Sequence, residues 1–154
     1  MLGLDPGSRV TGWGLVEGNA RQVAATQFGC VYPVRGPSRA HTLASLGDQV
    51  TVLLERLAPD VVAIETPFAG QHPRAALALA EARGAILASL GRWGGEVVEY
   101  EPARVKAAVV GNGRAEKQQV GFIVRHALHL ESSPPVDAAD ALAVALCHLR
   151  RALP

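Results

Sequence analysis

Val61-Val62-Ala63-Ile64-Glu65 settles the architecture of this chain. A continuous apolar run of this length, closed by turn signals, reads as a strand buried on both faces, which is the habit of parallel strands. Upstream lies a helix of about residues 38–57, where Leu43, Leu46, Val50, Leu54 and Leu57 recur at helical spacing until Pro59 stops it. Before that helix, residues 1–5, about 11–17 and about 22–32 read as short strands separated by Pro6-Gly7-Ser8 and Glu17-Gly18-Asn19. Such punctuation predicts an antiparallel meander. Downstream the chain alternates. A helix runs from Pro73 to Gly91 or Trp93, rich in alanine from Ala75 to Ala88, and a strand follows at Glu96–Tyr100. Pro102 opens a short helix to Val110, and Gly111-Asn112-Gly113 breaks it. A helix of about 115–130 buries Val120, Ile123, Val124, Ala127 and Leu128. After Ser132-Ser133-Pro134-Pro135, a final helix of about 137–152 packs through Leu142, Leu146 and Leu149. Three antiparallel strands followed by strand–helix alternation predict an α/β protein: one mixed five-stranded sheet flanked by helices, in a single domain over residues 1–154.

The chain has 154 residues with 49% hydrophobic content. A domain of this size buries roughly two-thirds of its unfolded surface, enough for a core without disulfides or metals. The apolar stretches are too short to span a membrane, and residue 1 enters a strand directly, so a cytoplasmic protein is expected. Cys30 and Cys147 match no zinc spacing and read as two buried thiols. The net charge of +1 neither demands nor excludes a nucleic-acid partner. Both lysines, however, fall in residues 101–130. There Arg104, Lys106, Arg114, Lys117 and Arg125 face only Glu101 and Glu116, five charges against two, a segment charge of +3. This segment reads either as solvated helix faces or as a phosphate-contacting surface.

Four acidic residues sit where carboxylates are costly. Asp5 closes the apolar opening Met1-Leu2-Gly3-Leu4, and Glu65 ends the decisive strand. Asp137 and Asp140 begin the largely apolar final helix. Buried carboxylates without partners cost several kcal/mol and normally pair or bind a metal. Asp137 and Asp140, three residues apart, share a helix face in the first turn. Each acid also has a local reading. Asp5-Pro6-Gly7 is turn chemistry, Asp137 can cap its helix, and Asp140 can be solvated. If the fold joins all four, hard cations such as Mg²⁺ or Mn²⁺ are the matching neutralisers. Two such ions suit phosphodiester cleavage. Other chemistries lack their signatures. Gly7-Ser8-Arg9-Val10-Thr11-Gly12 is followed by Trp13 where a phosphate loop needs lysine. Gly111-Asn112-Gly113-Arg114-Ala115-Glu116 follows a helix, no Gly-x-Ser-x-Gly elbow or His-Glu-x-x-His pair exists, and His126 and His129 read as helix surface.

Gly3-Leu4-Asp5-Pro6-Gly7-Ser8-Arg9-Val10-Thr11-Gly12-Trp13-Gly14 closely resembles the opening of the RuvC family of bacterial Holliday-junction resolvases. The resemblance continues through Ala63-Ile64-Glu65-x-x-Phe68, Ala82-Arg83-Gly84, Val105-Lys106-x-x-Val109-Val110-Gly111 and Ala115-Glu116-Lys117-x-Gln119-Val120. It ends in Asp137-Ala138-Ala139-Asp140-Ala141-Leu142-Ala143 and so covers nearly the whole chain. It implies a ribonuclease-H-like fold, a homodimer, and symmetric nicking of four-way junction DNA with two Mg²⁺ per subunit, for which Mn²⁺ can substitute. By position it makes Asp5, Glu65, Asp137 and Asp140 the metal-binding and catalytic carboxylates, with Lys117 as a catalytic partner. Lys106 and Lys117, together with Arg104 and Arg114 of the same basic segment, are the expected DNA contacts, and Phe68 matches an aromatic that packs on bases near the junction centre. The implied partners are junction DNA and a branch-migration complex of RuvA and RuvB type; the implied setting is the bacterial nucleoid. Thr66-Pro67 departs from the family's usual pair between the Glu and the Phe. The alternatives are a RuvC-like ribosomal-RNA processing nuclease, a catalytically silent junction-binding module, and an actin-like ATP-binding protein, for which the chain is too short.

Overall fold

In the computed structural model, which describes residues 1–18, 22–66 and 72–151, the expected mixed sheet is present. Its strands are β1 (Leu2–Asp5), β2 (Thr11–Gly18), β3 (Val23–Val31), β4 (Val61–Glu65) and β5 (Glu96–Tyr100). The order across the sheet is β3-β2-β1-β4-β5. β1, β2 and β3 form the antiparallel meander, and β4 and β5 add to β1 in parallel. The helices are α1 (Arg39–Leu57), α2 (Pro73–Trp93), α3 (Pro102–Val110), α4 (Lys117–Ala127) and α5 (Val136–Arg151).

Local chemistry sets these ends. The Ser38 hydroxyl accepts from the His41 N–H at the start of α1, the usual service of an N-cap serine. Pro73 and Pro102 occupy first-turn positions of α2 and α3, where a missing N–H costs nothing. Gly94 and Gly111 close the same two helices with φ of 76° and 85°, a conformation glycine adopts without a Cβ penalty. α4 is shorter than the sequence suggests. It begins at Lys117 because the Gln119 side chain accepts the Glu116 N–H at 2.9 Å, and it ends before His129, whose φ is 53°.

Alternation along the strands divides two cores. Leu2, Leu4, Trp13, Leu15, Val62 and Ile64 pack on α1 and α2 through Leu46, Val50, Ala82, Ile86 and Leu90. The opposite face carries Val16, Ala63 and Tyr100 against α3, α4 and α5. Gly3, Asp5, Gly12 and Gly14 share that second face by register, since Gly3 pairs with Gly14 and Asp5 with Gly12.

Bare glycines let α5 lie on the backbone itself. A Cβ on Gly3 would run into the Ala141 carbonyl, and one on Gly12 into the Asp137 carbonyl. The leucine stripe expected for α5 understates its burial. From Ala138 to Cys147 every residue is buried except Asp140, because the sheet covers one side and α3 and α4 the other. Cys147 is buried as expected, whereas Cys30 at the sheet edge is only half-buried.

Candidate active site

Strand register alone brings Asp5 and Glu65 together. Leu4 pairs with Ile64 in the parallel β1–β4 ladder, so the next residues, Asp5 and Glu65, end adjacent strands on the α5 face. Sites in such sheets form at the carboxyl ends of parallel strands. Asp140 reaches the same corner from the first turns of α5. Burial, then the neighbouring Glu65 and Asp140 charges, push Asp5 up to about 8. Burial likewise raises Glu65, with Asp140 adding to the effect, while its hydrogen bond with Asp5 pulls the other way. Both carboxyls are thus shifted toward their protonated forms, as crowded carboxylates are.

Two lysines oppose this charge. Lys117 Nζ donates to Asp140 Oδ2 at 2.7 Å, the lysine 72% exposed and the aspartate 21% exposed. That hydrogen bond raises Lys117, and the charges of Asp5 and Glu65 reinforce it. Lys106 acts on Glu65 in the opposite sense to burial, favouring its charged form.

Asp137 points its influence elsewhere. Its charge falls on the Cys30 thiol and the Tyr32 hydroxyl of the β3 side, and its carbonyl abuts Gly12. Arg104 and Arg114 are exposed; Arg104 stacks over the Tyr100 ring at 5.7 Å, and the Arg114 N–H donates to the Asn112 side chain at 3.0 Å. Phe68 and Pro67 lie outside the described residues. His126, expected as surface, contacts the Phe122 carbonyl on the exposed side of α4. Among the described residues, no three His, Cys, Asp or Glu side chains already stand as a metal cage. The donor set nonetheless suits a hard cation: Asp5, Glu65 and Asp140 are all carboxylates, they crowd one corner, and Asp5 and Glu65 carry raised pKa values that a divalent ion would reverse.

A second network braces the corner from behind. Arg83 of α2 pairs with Glu99 of β5, and the Thr66 hydroxyl donates to the same carboxylate at 3.4 Å. The Thr66 N–H also donates to the Tyr100 carbonyl at 2.8 Å, which extends the β4–β5 ladder one residue past Glu65. Sequence reasoning noted Arg83 only as part of a motif. Its partner lies sixteen positions away on another element, a pairing that only the tertiary fold displays.

The family model for crossover junction endodeoxyribonuclease RuvC matches residues 1–148. A crossover junction endodeoxyribonuclease RuvC from Alkalilimnicola ehrlichii is 43% identical over 152 residues, 99% of this chain and 92% of that protein. One from Halorhodospira halophila is 45% identical over 148 residues, 96% of this chain and 88% of that protein. Among solved structures, T. thermophilus RuvC in complex with Holliday junction substrate superposes with a TM-score of 0.89 at 31% identity, covering 98% of this chain and 93% of that one. The likeness gives the sheet and its flanking helices the ribonuclease-H-like fold.

Proposed function

The chain belongs to the RuvC family and is a crossover junction endodeoxyribonuclease, and from that premise we propose how it works. It resolves four-way Holliday junctions in homologous recombination and DNA repair, by paired symmetric nicks. The observation that carries the mechanism is the carboxylate corner, where Asp5 and Glu65 end adjacent parallel strands with Asp140 of α5 beside them.

The family is metal-dependent. In this chain Asp5, Glu65, Asp140 and Asp137 would together hold two Mg²⁺ ions, with Mn²⁺ able to substitute. Held there, such ions would supply an activated water and stabilisation of the leaving oxygen in phosphodiester hydrolysis. Lys117 Nζ swings from Asp140 to a phosphate oxygen, where its charge is best placed as charge develops. Lys106 holds the neighbouring phosphate, and Arg104 and Arg114 hold backbone further along the strand. Phe68 stacks on a base near the crossover.

Paired nicks need two sites related by a two-fold axis, so the chain works as a homodimer. Support comes from the outward face of α2, where Leu77, Ala80, Gly84, Ala88 and Gly91 are exposed in helical succession. The whole chain forms one nuclease domain that acts at the bacterial nucleoid with a RuvA–RuvB-type motor. No helix among the described residues is long and apolar enough to cross a membrane.

The test is cleavage of a synthetic four-way junction against linear duplex and precursor ribosomal RNA, in Mg²⁺, Mn²⁺ and EDTA. Metal-dependent paired nicks in the junction alone are expected. Selective cleavage of the RNA would overturn the reading.

A further inference from the structure

A cavity of about 560 Å³ opens beside the β1–β2 connection, lined by Ser8, Arg9, Arg35, Arg39 and Thr42 among others. We propose that it seats the phosphate backbone of a junction arm, a contact separate from the carboxylate corner and from the basic segment on α3 and α4. The proposal rests on the junction-cleavage reading and extends it to a second patch of substrate.

The charge balance points to an anion. No carboxylate lines the cavity. Arg39 is held in place by Glu81, at 2.8 Å, and by the Ala78 carbonyl, at 2.9 Å. Arg9 and Arg35 make no ion pair among the described residues; the pairs there are Arg39–Glu81, Arg83–Glu99 and Lys117–Asp140. Unopposed like charges in one concavity repel one another and focus a positive field outward, a cost relieved when a polyanion enters. Arginine is also the cation whose planar fork matches a phosphate oxygen pair.

The chemistry of the walls selects backbone over base. No aromatic ring lines the cavity, so nothing there offers a base a stacking partner. The loop is held by its own polar groups. The Gly36 N–H donates to the Thr42 hydroxyl at 3.3 Å, and that hydroxyl donates to the Ser38 carbonyl at 3.3 Å. Arginine contacts to phosphate from such a wall position the nucleic acid without reading its sequence.

Position supplies the rest. Arg9 follows Asp5 by four residues on the connection leaving β1, so the cavity adjoins the end of the strand that carries Asp5. DNA whose scissile phosphate lies at the carboxylates continues past this mouth. A double-stranded arm fits better than a lone strand, because base stacking within the duplex leaves only its phosphates to be held.

The experiment is fluorescence anisotropy of the full-length protein with a labelled four-way junction, and with one of its arms as linear duplex, across a salt series in EDTA. The slope of log K against log salt counts the phosphates neutralised. Arg9→Ala and Arg35→Ala should each flatten it by about 0.9, the double variant by about twice that. Affinity at moderate salt should fall roughly three- to tenfold per residue. Arg→Lys at either site should keep the slope, since the charge remains. The linear arm should show the same flattening. Both arginines are exposed, and circular dichroism melts should match wild type. Unchanged slopes in the double variant, with wild-type protein binding junctions normally, would refute the seat and leave the cavity to an acidic peptide. Wild-type protein that neither binds nor nicks junctions would instead refute the reading beneath it.

Discussion

Asp5 and Glu65 stand side by side at the ends of adjacent parallel strands and share a hydrogen bond, so the metal-free pair keeps a proton that either carboxylate alone would release. Asp5 held up to about 8 means that the native protein keeps this proton where the unfolded chain has lost it. Between pH 4 and 8 the native state therefore binds more protons than the unfolded state, and the contribution of this group to stability falls as pH rises through that window.

Asp5→Asn carries no charge at any pH and escapes that loss. In EDTA at pH 8 it should be more stable than wild type by about 1–3 kcal/mol, with little difference at pH 4. Urea melts of both proteins at the two pH values decide this, and an Asp5→Asn protein weaker than wild type at pH 8 would count against the shared proton. Metal affinity follows the opposite course: cation binding displaces the proton, so calorimetry with Mn²⁺ should show binding tighten as pH climbs toward 8, with the protons released per ion greatest below that pH.

Asp140→Asn removes a carboxylate and leaves Lys117 without its partner. Junction cleavage should fall at least 10³-fold while binding stays within a few-fold. Lys117→Ala should lower the single-turnover rate roughly 10²-fold, the scale of one lost charge-stabilising contact. Equal rates for Lys117→Ala and wild type at saturating protein would remove the lysine from the chemistry.

The contact between α5 and the glycine-lined sheet is equally open to test. Gly12→Ala places a methyl against the Asp137 carbonyl, backbone against backbone, and cannot be relieved by a rotamer. Overpacking of this kind costs about 1–3 kcal/mol. Gly121→Ala on α4, where a Cβ meets nothing within 4 Å, should instead stabilise by about 0.5–1 kcal/mol. Chemical denaturation of the two variants gives opposite signs, or the packing account is wrong.

Leu77 is 63% exposed on the small-residue face of α2. Leu77→Glu should halve the mass measured by light scattering at micromolar concentration and uncouple the two nicks, leaving singly nicked junctions. A wild-type protein already monomeric there would defeat the dimer proposal at once.

Much of this was readable beforehand because each signal was local. The apolar run ending in Glu65, the punctuation between the first three strands, and the prolines and glycines at helix ends all act within a few residues. The carboxylate corner was legible for the same reason, since a strand end and a first helical turn fix where a side chain starts. What stayed out of sight needed neighbours. The start of α4 hinged on one side-chain bond from Gln119, and the full burial of α5 came from helices on its far side rather than from its own leucines. Arg83 and Glu99 meet across two elements, and Arg9 and Arg35 line one cavity from opposite ends of the meander.

The burial of α5 also decides who must yield when enzyme and substrate meet. Asp140 rides on the most enclosed helix of the molecule, seated on strand backbone with no methyl layer between to act as a cushion. Such a mount cannot shift to greet a misplaced phosphate. The adjustment then falls to the nucleic acid, and a four-way crossover, already opened at its centre, yields more readily than a stacked duplex. Discrimination between the two would arise from the stiffness of the protein, set against the compliance of what it cuts.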